Sequence, residues 1–211
     1  MSEAKKQLPS VAGVTAAILH EISSSLGSSA TKATLAALRH SIGKEASASI
    51  DIWPLLFEKL PEAYIGRGRA LSHEERTILK TLQLYALHQQ GNDQSVWLEQ
   101  ETKDRENTGH GKGKKQRNNI GDALKLLRRG DDSLAVDRRF NALVTSTDYD
   151  ELIHHLRQMV KLLRAKKDGK IDYPALASDL YWFSRGYEES VRLNWSRHYY
   201  RFETKGQENN D

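Results

Sequence analysis

The sequence predicts an all-α fold. Apolar residues recur at helical spacing through most of the chain, only 4 prolines interrupt 211 residues, and no segment alternates apolar and polar residues between hairpin turns. A chain of 211 residues is one domain or two closely packed lobes, long enough for a real core, and the periodic segments divide into a bundle of about seven to nine helices.

Residues 1–29 are read as a partly helical N-terminal extension, residues 30–202 as the helical domain, and residues 203–211 as a disordered tail. In "SATKATLAALRHSIGK", Ala33, Leu35, Leu38 and Ile42 fall near one helical face. "DIWPLLFEKL" offers Asp51 as N-cap and tolerates Pro54 in its first turn. "SHEERTILKTLQLYALHQQGN" carries a capping box, Ser72 with Glu75, ahead of Ile78, Leu79, Leu82, Tyr85 and Ala86, and Gly91 stops it. A long polar connection, about 91–118, follows.

Beyond it, "NNIGDALKLLRRGDD" gives a short helix ended by Gly130, and "SLAVDRRFNALVTS" a second with Ser133 as its cap. "TDYDELIHHLRQMVKLLRAKKDG" is the clearest helix. Tyr149, Leu152, Ile153, Leu156, Met159, Val160 and Leu163 form one stripe, with His154, Arg157, Lys161 and Arg164 outside it. "DYPALASDLYWF", opened by Asp172 and Pro174, and "GYEESVRLNWSRHYYRF" are the last two helices.

Charge is focused. The formal net charge is only +4, yet His110–Arg129 holds seven Lys and Arg against the single acid Asp122, a local +6, so the rest of the chain is net acidic. Such focusing points to an anionic partner, with a solvated loop as the bland alternative. "TGHGKGKKQRNN" is not a phosphate-cradling P-loop. Lys115 stands where Ser or Thr is required, Thr108 where the first glycine is required, and the preceding "LEQETKDREN" is not strand-like. It reads instead as a basic arm at or near nucleic acid, its glycines letting Lys112, Lys114, Lys115 and Arg117 follow a strand.

Two segments share a pattern of leucines followed by basic residues at a helix end. They are Leu35, Leu38, Arg39 and His40, and Leu124, Leu127, Arg128 and Arg129. The helix macrodipole alone favours cations there, and a binding surface is the competing reading.

Catalytic chemistry finds little support. His154 and His155 are adjacent, so a helix turns them about 100° apart and they cannot share a metal. The acid pairs Glu74–Glu75 and Asp131–Asp132 sit where caps and the helix dipole explain them, and no nucleophile-elbow or kinase motif is present. Zero cysteines exclude disulfides, cysteine zinc sites and thiol catalysis. No metal, cofactor or enzyme activity is expected. No apolar run approaches a membrane span and no signal-peptide core is evident, so a cytoplasmic protein without membrane contact is expected. Trp195, Tyr199 and Phe202 at helical spacing read as packing. Trp182, Phe183 and Tyr187 read as core or as stacking platforms, and Arg192, Arg197 and Arg201 as a solvated face or as phosphate contacts.

Taken in order, "LAALRHS", "LQLYALHQQGN", "NIGDALKLLRRG", "DRRFNALVTSTDYDELIHHLRQMVKLL" and "IDYPALASDLYWF…VRLNWSRHYYRF" resemble the CasB family, the small subunit of the type I-E CRISPR Cascade complex, over about residues 30–202. The resemblance implies a non-catalytic helical subunit. Two copies would lie against the backbone and large subunits and help hold guide RNA and target DNA in an R-loop without reading sequence. It carries Arg39, Lys125, Arg128, Arg129, Arg138 and Arg139 over as nucleic-acid contacts. A helical adaptor that touches only protein partners is the alternative.

Overall fold

The computed structural model describes residues 8–44, 50–99, 118–128, 133–166 and 169–201. Among them the chain forms nine α-helices: α1 Val11–Ser24, α2 Ser29–His40, α3 Trp53–Phe57, α4 His73–Gln89, α5 Ile120–Lys125, α6 Ser133–Val144, α7 Tyr149–Arg164, α8 Tyr173–Ser184 and α9 Glu188–Tyr200. Short 3₁₀ turns occur at Ile50–Ile52, Glu62–Tyr64 and Leu126–Arg128. The only strand-like pairing among the described residues is an isolated bridge between Trp97 and Ile171. The all-α expectation holds.

Helix α4 is the axis of the bundle, packed against α1, α2, α7 and α8. Every residue from Thr81 to Gln89 is buried, so this helix has no solvent face over its second half. The capping box predicted from Ser72 and Glu75 is present: the Ser72 hydroxyl accepts from the Glu75 amide at 3.0 Å, and Glu75 accepts from the Ser72 amide at 2.7 Å. The other Glu75 oxygen accepts from the Gly66 amide at 3.0 Å, which draws the preceding turn onto the helix start. Glu75 is only 3% exposed; two backbone donors and the positive end of the helix replace its lost water.

An interior helix must also satisfy its polar side chains internally. Gln83 donates to the Ser41 hydroxyl at the end of α2, and His88 hydrogen-bonds the Tyr173 hydroxyl of α8 at 2.9 Å. Gln89 donates to the carbonyls of Asn92 and Gln94 and accepts from the Val96 amide. That last set folds the chain back after α4, burying Val96 and Trp97. The start of the 91–118 connection is therefore packed, contrary to its polar reading; residues 100–117 lie outside the described residues.

A second group of helices, α5, α6 and α9, joins the first through α7 and α8, and the buried side chains form one continuous cluster. Helix α5 lies close against α9, where a Cβ at Gly121 would overlap the carbonyl oxygen of Trp195. All seven residues of the predicted α7 stripe are buried, and α1, set apart by the sequence as an extension, packs against α8 and α4.

Three local expectations are corrected. Asp51 is not a cap: it lies in the 3₁₀ turn Ile50–Ile52, and Ile52 occupies the N-cap of α3. Ser133 is the first residue of α6 and not the residue before it. Ala33 is exposed, because the apolar face of α2 is set by Leu35 and Leu38. Gly130, Asp131, Asp132, Phe202 and the 203–211 tail lie outside the described residues.

Glu75→Gln leaves one of the two backbone donors without a carboxylate oxygen, and urea denaturation is expected to show a loss of about 1–3 kcal/mol. His88 gives a pH signature. Burial, and secondarily the Arg164 charge, push it down from 6.5 to about 4. Between about pH 6.5 and 4 the unfolded chain binds a proton that the folded chain refuses, so stability falls as pH falls through that window. The His88→Asn variant lacks this contribution. Melting curves should show wild type losing up to about 3 kcal/mol more than the variant on acidification.

Candidate nucleic-acid interface

The residues expected to bind nucleic acid fall into three groups. Lys112, Lys114, Lys115, Arg117 and Arg129 lie outside the described residues. Arg138 and Arg139 are exposed on the outer face of α6. Arg39, Lys125 and Arg128 are half-buried and engaged with the protein.

Arg128 is held on several sides. Its Nε and Nη2 donate to the two carboxylate oxygens of Asp137 at 2.9 and 3.3 Å, and its guanidinium carbon stands 5.3 and 5.2 Å from the rings of Tyr199 and Tyr200. The Tyr199 hydroxyl donates to Asp137 at 2.7 Å while its ring stacks on Phe140 at 3.7 Å. This closed cluster ties the Leu126–Arg128 turn to α6 and α9. Asp122, the one acid of the basic stretch, caps α5 through the Asn119 amide and pairs with the buried His198 at 2.6 Å. Arg192, on α9, donates to the Ser146 carbonyl and lies over the Phe183 ring, so it too is structural.

A different set of cations forms a continuous surface. On α7, Arg157, Lys161 and Arg164 follow one another at positions i, i+4 and i+7, a single stripe beside the buried one. On α4, the helix packed against it, Arg76 and Lys80 lie at i, i+4. Lys80 is pushed down mainly by burial; Asp150 raises it, and Arg76 and Arg157 lower it again. At the far end Arg39 reaches from α2 to the Ala86 carbonyl at 3.3 Å, and burial followed by Arg164 lowers it. The seam between α7, α4 and α2 therefore runs Arg76, Lys80, Arg157, Lys161, Arg164, Arg39.

Carboxylates scarcely enter it. Arg76 pairs with Asp150 at 2.7 Å and covers the Tyr149 ring. Arg164 reaches only the neutral Gln90 amide oxygen. Among the described residues, Lys80, Arg157, Lys161 and Arg164 form no ion pair within 4.0 Å. The sequence placed Arg157, Lys161 and Arg164 outside the α7 stripe but gave no sign that α4 and α2 bring further cations to them.

Other chemistry is sparse. Among the described residues no group of three or more His, Asp or Glu is placed to hold a metal ion, and no helix is long and apolar enough to cross a membrane. His154 is exposed, and His155 lies 3.7 Å from Glu151 on the same helix. Asp179, held by the Trp195 indole N–H at 2.6 Å, is pushed up to about 6, chiefly by burial.

Arg128→Ala would leave Asp137 facing Tyr199 alone. The expected cost is about 1–3 kcal/mol in chemical denaturation. Arg138→Ala/Arg139→Ala, on an exposed face, should stay within about 0.5 kcal/mol of wild type.

Comparison with known proteins follows the same lines. Residues 34–200 match the family model described as CRISPR-associated protein Cse2. No curated protein matches the sequence. The crystal structure of CasB from Thermobifida fusca is similar at 26% identity and a TM-score of 0.64, covering 92% of this chain and 100% of that one. CasB from Thermus thermophilus is similar at 26% identity and a TM-score of 0.55, covering 88% and 97%. A chain of a CRISPR RNA-guided surveillance complex shares the fold at 17% identity and a TM-score of 0.61, covering 90% and 95%. A helical bundle matched over most of its length by one family model leaves a single assignment: this chain belongs to the CRISPR-associated Cse2 family.

Proposed function

We propose that this chain is the non-catalytic small subunit of a CRISPR RNA-guided surveillance complex, and that it holds the backbones of guide RNA and target DNA along the α7–α4–α2 seam without reading sequence. One observation carries this reading. Among the described residues, cations that repel one another are packed side by side with Asp150 as the one carboxylate paired to them, an arrangement that a polyanion relieves. The fold shared with a chain of such a complex supports the setting.

The physics suits the task. Exchanging a DNA duplex for an RNA–DNA duplex is near balance, so a few sequence-blind backbone contacts tip it. Lys and Arg supply such contacts by displacing condensed counterions, which makes binding depend steeply on salt. Lys112, Lys114, Lys115, Arg117 and Arg129, which lie outside the described residues, are further candidates for backbone contacts in this reading. In this reading the protein partners are the backbone and large subunits and a second copy of the chain.

The test is a salt series of binding to labelled single-stranded RNA and DNA of unrelated sequence. Lys161→Ala/Arg164→Ala is expected to weaken all of them and to flatten the salt slope by about one unit for each phosphate that is no longer neutralised. Unchanged affinity and slope would overturn the seam as the binding surface. A wild-type protein that binds none of them at low salt, yet co-purifies with the other subunits, would make it an adaptor that contacts protein alone.

A further inference from the structure

At the end of α8 the chain leaves two large aromatic rings in solvent. Trp182 is 48% exposed and Tyr187 is 56% exposed, with ring centroids 5.1 Å apart and planes at 86°. They are held together by the helix end itself. The Gly186 amide donates to the Phe183 carbonyl and the Tyr187 amide to the Trp182 carbonyl, and Gly186 takes φ +92°. This is the glycine-terminated Schellman arrangement, which brings the side chains of its third-last helical and second following positions into contact. The motif accounts for the contact. It does not account for two rings of this size being left in water, where their burial elsewhere in the chain is the rule.

The surroundings are polar and of mixed charge. Arg185 is exposed at the same helix end. His73, the first residue of α4, hydrogen-bonds Ser184 at 3.1 Å, and the turn leading into α4 exposes Arg67 and Arg69. The acids nearby are Glu188 and Glu189, which occupy the first turn of α9, and Glu74, which faces Tyr181. Phe183 connects this end to the seam: its ring lies 6.4 Å from that of Tyr149, which Arg76 covers at 4.4 Å.

We propose that Trp182 and Tyr187 form a stacking platform for an unpaired base of a single-stranded nucleic acid whose backbone continues along the cationic seam. The proposal rests on the nucleic-acid reading above and adds to it a contact that distinguishes single strands from duplexes. Aromatic faces accept any base, so the contact stays blind to sequence. Paired bases are stacked inside their helix and cannot reach it. The Schellman closure fixes the two rings before binding, so little ordering is required when a base arrives.

Trp182→Ala and Trp182→Phe test it, with oligothymidylate and an oligo(dA)·oligo(dT) duplex of equal length as probes. Of the four tryptophans Trp182 is exposed, Trp53 is half-buried, and Trp97 and Trp195 are buried, so quenching of the wild-type indole emission should accompany single-strand binding and be largely lost in Trp182→Ala. That variant should bind the single strand roughly tenfold more weakly, with the duplex affinity and salt slope unchanged, and Trp182→Phe should recover part of the loss. Equal losses on both probes, or no loss on the single strand, would overturn the platform and leave the seam standing. A variant that binds both probes like wild type but fails to join the other subunits would assign the rings to a protein contact, also overturning it. If wild type binds neither probe, the seam reading falls as well.

Discussion

The fold is arranged around a helix whose second half has no solvent face. From Thr81 to Gln89 helix α4 is buried on all sides, so each polar side chain it carries must find a partner within the protein. Gln83 fixes the end of α2, His88 fixes Tyr173 of α8, and Gln89 folds residues 92–96 back over the helix end. At the other terminus the buried Glu75 fastens the 66–72 turn. Hydrophobic burial supplies the drive, and these bonds decide which neighbour sits where. Solvent reaches α4 chiefly along its first half, and Arg76 and Lys80 stand there.

The same economy explains the uneven charge. Several acids of the second half are committed to architecture: Asp122 to the α5 cap and His198, Asp137 to Arg128 and Tyr199, Asp179 to Trp195, and Asp148 to the α7 N-cap. Among the described residues only Asp150 pairs with a cation of the seam. The resulting positive surface is not a product of net charge, which is a modest +4 for the whole chain. It comes from where the carboxylates have been drawn away.

Helix periodicity made most of the fold legible. The α7 stripe, the Ser72–Glu75 box and the Asp172 cap of α8 all appear as the local pattern requires, because each depends on residues within a few positions of one another. The starts of α3 and α6 depart from the pattern: α3 follows a 3₁₀ turn with Ile52 at its N-cap and no side-chain cap, and Ser133 stands within α6. The site was less legible. Basic residues in sequence order pointed to Arg128, but its role depends on Asp137, nine positions away, and on Tyr199 at the other end of the domain. The seam assembles Arg39, Lys80 and Arg164 from three helices, and no spacing rule in one sequence reports such a meeting.

A seam of like charges carries a standing cost that the fold must bear. Arg157 and Arg164, seven residues apart on one helix, are separated by about 10 Å of helical rise. That is close to the screening length at physiological salt, roughly 8 Å, so each cation still feels its neighbours. The repulsion is tolerable because α4 and α7 are joined by a buried stripe whose hydrophobic contribution does not depend on salt or charge. Packing thus holds the cations in register before any ligand arrives. A polyanion meeting them finds the repulsion already borne by the core, so its own charge is added as pure attraction.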